Sequence, residues 1–394
     1  MNILILQTKA FPHRSNSFYW FYTQLTEWLT AHGYPSILYF AYLDVDDYGF
    51  ENGLLLPDKV PHFYTQQNIE TLSTYITDKR IDVILDYSHI ITGRTRLFFL
   101  EIKRLHPDLR IFTMIHNCPS HTTQLKQYEI SRLRLKDVRS VKQFVQWSMP
   151  EIYLRLLKRE VKKQNISAYD TLDEIVLLST SYIPEFKKLI NRPDANRLSA
   201  IPNAIRPVES QIPIQKKNKE IIFVGRIENE KALPKLLKIW EMVQDRLPDW
   251  NLIIVGDGSK REECRSIIER RKLKRTEIKE YQMAIPLIDQ ASILCLTSVI
   301  EGLPTVFTEA MSLGVVPIGF DSFRAIYDMI EDGKNGFIIP NNDYRQYAET
   351  LYRLASDDRL RQQMAQHALS KKDKYSIESI APLWLETFKK HGLA

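Results

Sequence analysis

Two doubly wound α/β domains are the fold class this sequence predicts, and three observations carry the expectation. Short runs of Ile, Val and Leu alternate with longer amphipathic stretches along the whole chain, the pattern of βαβα winding. The runs are apolar at successive positions rather than at every second one, as expected of parallel strands covered on both faces. The chain has 394 residues, and a single core stops growing at roughly 250–300.

Strands are expected at 2–8, 36–42, 82–88, 110–116, 174–180, 220–225, 251–256, 292–298 and 315–320. Between them, 17–33 has helical spacing and closes on Gly33, a residue suited to the left-handed C-cap. A second helix is expected over 231–247. The tail 376–391 repeats apolar residues at helical intervals through Ile377, Ile380, Leu383, Trp384 and Phe388. A Pro-rich, polar stretch at 201–220 separates the two strand-rich halves. The expected domains are therefore 1–204 and 205–375, with the helix 376–394 packing back on the first.

Composition narrows the class. Hydrophobic content of 44% and charged content of 26% exclude a disordered or fibrous chain. No apolar segment approaches the ~18–20 residues of a membrane span, and "MNILILQTKAF" reads as a first buried strand rather than a leader. Cys118, Cys264 and Cys295 lack metal-like spacing and read as reduced thiols. The expected location is cytoplasmic, peripheral on the inner face of the cell membrane. The net charge of +6 is localised: residues 124–164 hold 11 Lys/Arg and 4 Asp/Glu, interleaved with Phe144 and Trp147. Such a segment suits an anionic membrane surface or polyanion, and a solvated helical face is the alternative. A nucleic-acid partner is not expected.

Three stretches of the second half carry chemistry. In "FVGRIENEK" (223–231), Gly225 falls at a strand's carboxyl end, where open α/β sheets bind ligands. Arg226 offers a planar fork and Lys231 a point charge, together suited to a diphosphate. "IIVGDGS" (253–259) has only G-x-G and signals a tight turn, not a dinucleotide site. "SVIEGLPTVFTEAMSLG" (298–314) reads as the end of a strand, a turn at Gly302 and Pro304, and a helix closed by Gly314. The backbone N–H groups around Gly302, Leu303 and Thr305 form an oxygen- or anion-binding end, to which Pro304 donates nothing. Glu301 precedes this turn and Glu309 follows it one helical turn in. Carboxylates accept hydrogen bonds from vicinal hydroxyls, so a polyhydroxylated ligand would explain two acids in so apolar a stretch.

In family order and spacing, "VGRIENEK", "IIVGDG", "ASILCLTSVIEGLPTVFTEAMSLGVVPIGFDS" and "IEDGKNGFIIP" resemble the retaining glycosyltransferases of family 4. The likeness covers roughly 200–345 strongly and the first half weakly. It implies a GT-B fold: two doubly wound Rossmann-like domains facing across a cleft. It implies that Arg226 and Lys231 neutralise the departing diphosphate and that Glu309 holds the ribose hydroxyls. Glu301, with Gly225 and the amides of Gly302 to Thr305, would hold the donor sugar and phosphate. His116, ending the strand "IFTMIH", would face the transferred sugar. The partners implied are a nucleotide-diphosphate sugar, with UDP-sugar as the expected donor, and a glycan or lipid-linked acceptor. No cofactor and no metal are implied, since no D-x-D sits at a suitable strand end.

The sequence also departs from that family. Its loop after the first strand, "QTKAFPHRSNS", has no glycine, so Ser15, Asn16 or Ser17 would have to serve there. The family's Lys-Gly after the diphosphate arginine is Lys231-Ala232, and its "IPNG" is Ile201-Pro202-Asn203-Ala204. The stretch "EIKEYQMAIPLIDQAS" is short and leaves the base undetermined. The rival readings are a non-catalytic glycan- or polyanion-binding GT-B protein, a nucleotide-sugar epimerase or phosphorylase, and, weakest, a nicotinamide dehydrogenase.

Overall fold

The computed structural model describes residues 1–9, 17–44, 53–58, 64–87, 93–135, 138–280 and 284–394. The loop at 10–16 in which Ser15 and Asn16 were expected to serve lies outside them; Ser17 begins α1, where the backbone alone is described. In chain order the first elements are β1 (Asn2–Lys9), α1 (Ser17–Ala31), β2 (Ile37–Asp44), β3 (Gly53–Leu55), α2 (Gln66–Lys79), β4 (Val83–Asp86), α3 (Gly93–Leu105) and β5 (Arg110–Ile115). There follow α4 (His121–Arg132), α5 (Val141–Ser148), α6 (Pro150–Thr171), β6 (Glu174–Leu177), α7 (Tyr182–Ile190) and β7 (Leu198–Ala200). The next elements are β8 (Glu220–Val224), α8 (Leu233–Val243), β9 (Asn251–Val255), α9 (Arg261–Arg270), β10 (Thr276–Lys279), α10 (Ala284–Gln290) and β11 (Ile293–Leu296). The last are α11 (Thr305–Ser312), β12 (Val316–Asp321), α12 (Ile326–Met329), β13 (Phe337–Pro340), α13 (Tyr344–Ser356), α14 (Asp358–Leu369) and α15 (Ile377–Lys390).

The chain divides into two compact units. The first comprises Met1–Ser120, Glu151–Arg206 and Tyr375–Ala394. Its seven parallel strands run β3-β2-β1-β4-β5-β6-β7. Alternate residues of the central strands, Ile3 and Ile5, Val83 and Leu85, Phe112 and Met114, enter one core with Tyr22 and Leu25 of α1 and Trp384 and Phe388 of α15. Helix α15 is held at its end as well. The buried Glu174 carboxylate accepts hydrogen bonds from Ser199 Oγ at 2.6 Å and Lys390 Nζ at 2.9 Å and pairs with His391 Nε2 at 2.9 Å. Burial pushes that carboxyl up, but the bonds from His391, Ser199 and Lys390 hold it below its ordinary range.

The second unit comprises His121–Pro150 and Pro207–Lys374, with six parallel strands in the order β10-β9-β8-β11-β12-β13. Here the structure differs from the sequence boundary at 204, because 121–150 packs with the later residues. The contacts are specific. Arg132 Nη2 bonds Glu263 Oε1 at 2.7 Å, Asn229 Nδ2 bonds Glu129 Oε1 at 3.3 Å, and the Tyr128 ring receives the Lys235 ammonium at 5.5 Å. Helix α8 also begins later than its apolar spacing predicts. Ala232 takes the left-handed conformation at φ 46° and forces the chain to turn before the helix starts. All three cysteines are buried and outside any disulfide, and among the described residues no helix is long and apolar enough to cross a membrane.

Candidate functional site

Strand order in the second unit reverses between β8 and β11, which lie side by side with Ile221 opposite Ile293. Open α/β sheets bind ligands outside the carboxyl ends of their strands at such a reversal. The 225–231 stretch leaves β8 there, and the 297–305 stretch leaves β11. A backbone bond from Val299 N to Glu230 O at 2.8 Å ties the two.

The β8 loop is held by the loop after β9. Gly225 N donates to Val255 O at 3.0 Å and Ile227 N to Asp257 O at 2.7 Å. Glu228 accepts from Ser259 N at 2.7 Å and Ser259 Oγ at 2.6 Å. A side chain on Gly256 would place its Cβ 2.0 Å from Gly225 O, and one on Gly258 would stand 2.5 Å from Ile227 O. The G-x-G is thus a steric requirement of two loops pressed together, and its role is to hold the loop carrying Arg226 and Lys231. That loop ends on Ala232, a fully buried residue in a backbone conformation that favours glycine.

The two glutamates prove to be in different situations. Glu301 is 8% exposed, and its Oε1 accepts from Lys231 Nζ and from Ser298 Oγ, each at 2.6 Å. The charge on Glu301 is therefore met within the protein. Glu309 has no hydrogen-bond or ion-pair partner among the described residues, and burial pushes its carboxyl up. It stands on α11 one turn after Thr305. No side chain caps that helix and no acid occupies its first turn, so its leading amides keep the positive end of the dipole. Gly302, Leu303 and Pro304 are buried beneath this turn, and Thr305 is half-buried.

Arg226 is the exposed member, its guanidinium 2.6 Å from Glu230 Oε1. Gly225, Arg226, Lys231, Glu301, Gly302 to Thr305 and Glu309 thus come together around one strand reversal. His116 belongs to the other unit, where it follows β5 and stacks on Tyr87 with ring centroids 4.6 Å apart. One residue of the second unit's cluster escaped the sequence reading. His121, at the start of α4, is held below its ordinary pKa by burial and lies in the field of Glu230, Glu301, Arg226 and Lys231. The only signal was a second histidine in "IHNCPSH", in a stretch assigned to the other half.

Residues 206–371 match the family described as glycosyl transferases group 1. The whole chain superposes on the lipopolysaccharide outer core galactosyltransferase WaaB with TM-score 0.70 at 16% identity, covering 99% of each chain. Anabaena HepE, solved with UDP-glucose, gives TM-score 0.70 at 14% identity over 99% of this chain and 100% of that one. The fold is therefore that of the two-domain GT-B proteins, and the stretch that resembles the glycosyl transferases group 1 model lies almost wholly in the second unit. Among curated relatives, an "Uncharacterized glycosyltransferase" of Haemophilus influenzae is 30% identical over 230 residues, 55% of this chain and 61% of that one. A Campylobacter jejuni α-1,4-N-acetyl-D-galactosaminyltransferase acting on an undecaprenol-linked glycan is 26% identical over 171 residues, 43% of this chain and 48% of that one. The chain thus spans about half to three fifths of the length of these curated relatives.

Proposed function

We propose that the protein transfers a sugar, with retention of configuration, from a nucleoside-diphosphate sugar to a hydroxyl of a glycan or lipid-linked acceptor in surface polysaccharide or glycolipid assembly. The observation that carries this is the pairing of a cation-bearing loop with an uncapped helix start and an unpartnered carboxylate at one strand reversal. The names of the relatives point the same way: an amylovoran biosynthesis glycosyltransferase, a poly(glycerol-phosphate) α-glucosyltransferase and a lipopolysaccharide 1,6-galactosyltransferase are among them. UDP is the expected nucleotide, as UDP or UDP-glucose occupies several neighbours of the same fold.

In this reading Glu309 accepts from two ribose hydroxyls, which supply the hydrogen bonds it lacks. Arg226 exchanges its exposed pair with Glu230, a weak one in water, for phosphate oxygens. Lys231 and the α11 amides face the same diphosphate, and Glu301 holds Lys231 in place while accepting from the donor sugar. The bond from the anomeric carbon to the β-phosphate oxygen breaks, and the acceptor oxygen bonds to that carbon on the same face. The acceptor's proton passes to the departing phosphate. Cations and helix amides stabilise the charge that develops there, so no metal is required. One such group is worth about 3 kcal/mol, on the order of a hundredfold in rate or more.

The acceptor side of the proposal includes an anionic membrane surface. In the second unit Val141, Phe144 and Trp147 of α5 are exposed, with Met149 just after it; in the first unit Ile152 and Leu156 of α6 are exposed among Arg155, Lys158, Arg159, Lys162 and Lys163.

A thermal-shift and hydrolysis screen against UDP-, GDP-, ADP- and dTDP-sugars, with and without EDTA, tests the donor site. The expected result is a shift for one nucleotide, indifferent to EDTA and lost in both Glu309→Ala and Arg226→Ala. A protein that responds to no nucleotide would overturn the proposal and favour a glycan-binding role without catalysis.

A further inference from the structure

We propose that a second site in this unit, a cleft of about 1,020 Å³ between α4–α5 and α9, takes a negatively charged, hydroxyl-rich ligand: the carboxylate- or phosphate-bearing segment of the acceptor glycan. That the occupant is the acceptor rests on the transferase reading above; that the cleft binds acidic sugar does not. The volume lies at the upper end of small-ligand pockets, room for an oligosaccharide segment rather than one sugar. None of Arg226, Lys231, Glu301 and Glu309 lines it, so it is separate from the diphosphate loop. It nevertheless abuts that loop, because Asn229 lies between Arg226 and Lys231 and lines the cleft.

Three features define the ligand. Gln146 of α5 is only 7% exposed, lines the cleft, and has no hydrogen-bond partner among the described residues. The residue is buried while its amide still opens to the cleft, where two donors and an acceptor can meet hydroxyl or carboxylate groups. The second feature is charge. Arg132 is committed to Glu263 at 2.7 Å, and Lys126 pairs with Glu129. Arg134 and Arg270 line the same cleft without an ion pair among the described residues, so the uncompensated charge is positive. Guanidinium forks pair bidentately with carboxylate or phosphate. The third is composition: among the described residues no aromatic lines the cleft, so these residues offer neither a nucleobase nor a neutral sugar face a ring to stack on.

The test is calorimetric binding of trigalacturonate, maltotriose and inorganic pyrophosphate to the full chain, alongside nucleotide thermal shifts on the same samples. Trigalacturonate should bind at least about tenfold more tightly than either of the others. The Arg134→Gln/Arg270→Gln variant should weaken it tenfold or more, the loss expected for charge-assisted bonds. Gln146→Ala, which changes no charge, should weaken it several-fold. Both variants should keep the wild-type melting temperature and nucleotide shift. Equal binding of maltotriose, equal binding of pyrophosphate, or variants that bind trigalacturonate like the wild type would each overturn the proposal. A wild type that binds trigalacturonate but no nucleotide would sink the transferase reading while leaving the cleft's chemistry standing.

Discussion

Lys235 and Lys217 show at the residue scale how differently this unit treats two buried ammonium groups. Lys217 stands 3.0 Å from the Asp289 carboxylate. Lys235, 7% exposed on α8, has only the rings of Tyr128 and Phe320, each 5.5 Å away, and no ion pair among the described residues. Burial, with a contribution from Arg132, lowers its pKa to about 8. An unfolded lysine keeps its proton to about pH 10.4. Between pH 8 and that value the unfolded state holds more protons, so stability rises with pH there. Below pH 8 the group is charged in both states and the cost of burying it is fully present. That cost is on the order of 3 kcal/mol, about 2.4 units at about 1.4 kcal/mol each. Lys235→Met should therefore raise unfolding stability at pH 7 by up to that amount and flatten the rise above pH 8, measured by urea titration across the range. A destabilised variant at pH 7 would mean that the two ring contacts outweigh the burial.

At the scale of elements, the loops after β8 and β9 act as one piece, and the pair of glycines makes that possible. Gly256→Ala would drive a Cβ to 2.0 Å from Gly225 O at a backbone φ of +158°. Overpacking against backbone costs about 1–3 kcal/mol or more, and the variant should also lose nucleotide binding, since Arg226 and Lys231 ride on the displaced loop. Unchanged nucleotide shifts in a folded Gly256→Ala protein would sever the G-x-G from the site. The same contrast between crowded centre and open edge explains which strands were legible. All nine strands expected from the sequence are present, and their middle residues are apolar and buried because both faces are covered there. The four strands missed, β3, β7, β10 and β13, are the edges of the two sheets. The "TEIK" of β10 and the "LSA" of β7 are partly buried and lack the apolar run that announces a central strand, whereas β3 and β13 are apolar but only three and four residues long. The site followed the same logic. Residues following β8 and β11 were readable from motif spacing, but His121 and Gln146 were not, because chain order assigned 121–150 to the wrong unit.

For the whole molecule, the arrangement of charge makes a claim of its own. The chain's positive excess is confined to 124–164, with 11 Lys/Arg and 4 Asp/Glu, while large apolar side chains lie exposed on α5 of the second unit and, separately, on α6 of the first. A merely solvated helical face has no use for exposed Phe144, Trp147 and Leu156; an interfacial one has. If these residues meet an anionic bilayer, the protein should co-sediment with vesicles of phosphatidylglycerol and phosphatidylcholine in 0.1 M salt and not with phosphatidylcholine alone. Binding should collapse at 1 M salt, where the screening length falls from about 10 Å to about 3 Å. With about 1 kcal/mol for each basic residue near the surface, Lys158→Gln/Lys162→Gln should weaken binding about thirtyfold. Phe144→Ala/Trp147→Ala should weaken it by a similar factor at each salt concentration where binding is still measurable, because the apolar contribution is not screened. Equal partitioning to neutral and anionic vesicles, or none to either, would return 124–164 to the status of a solvated face and remove the membrane surface from the proposed function.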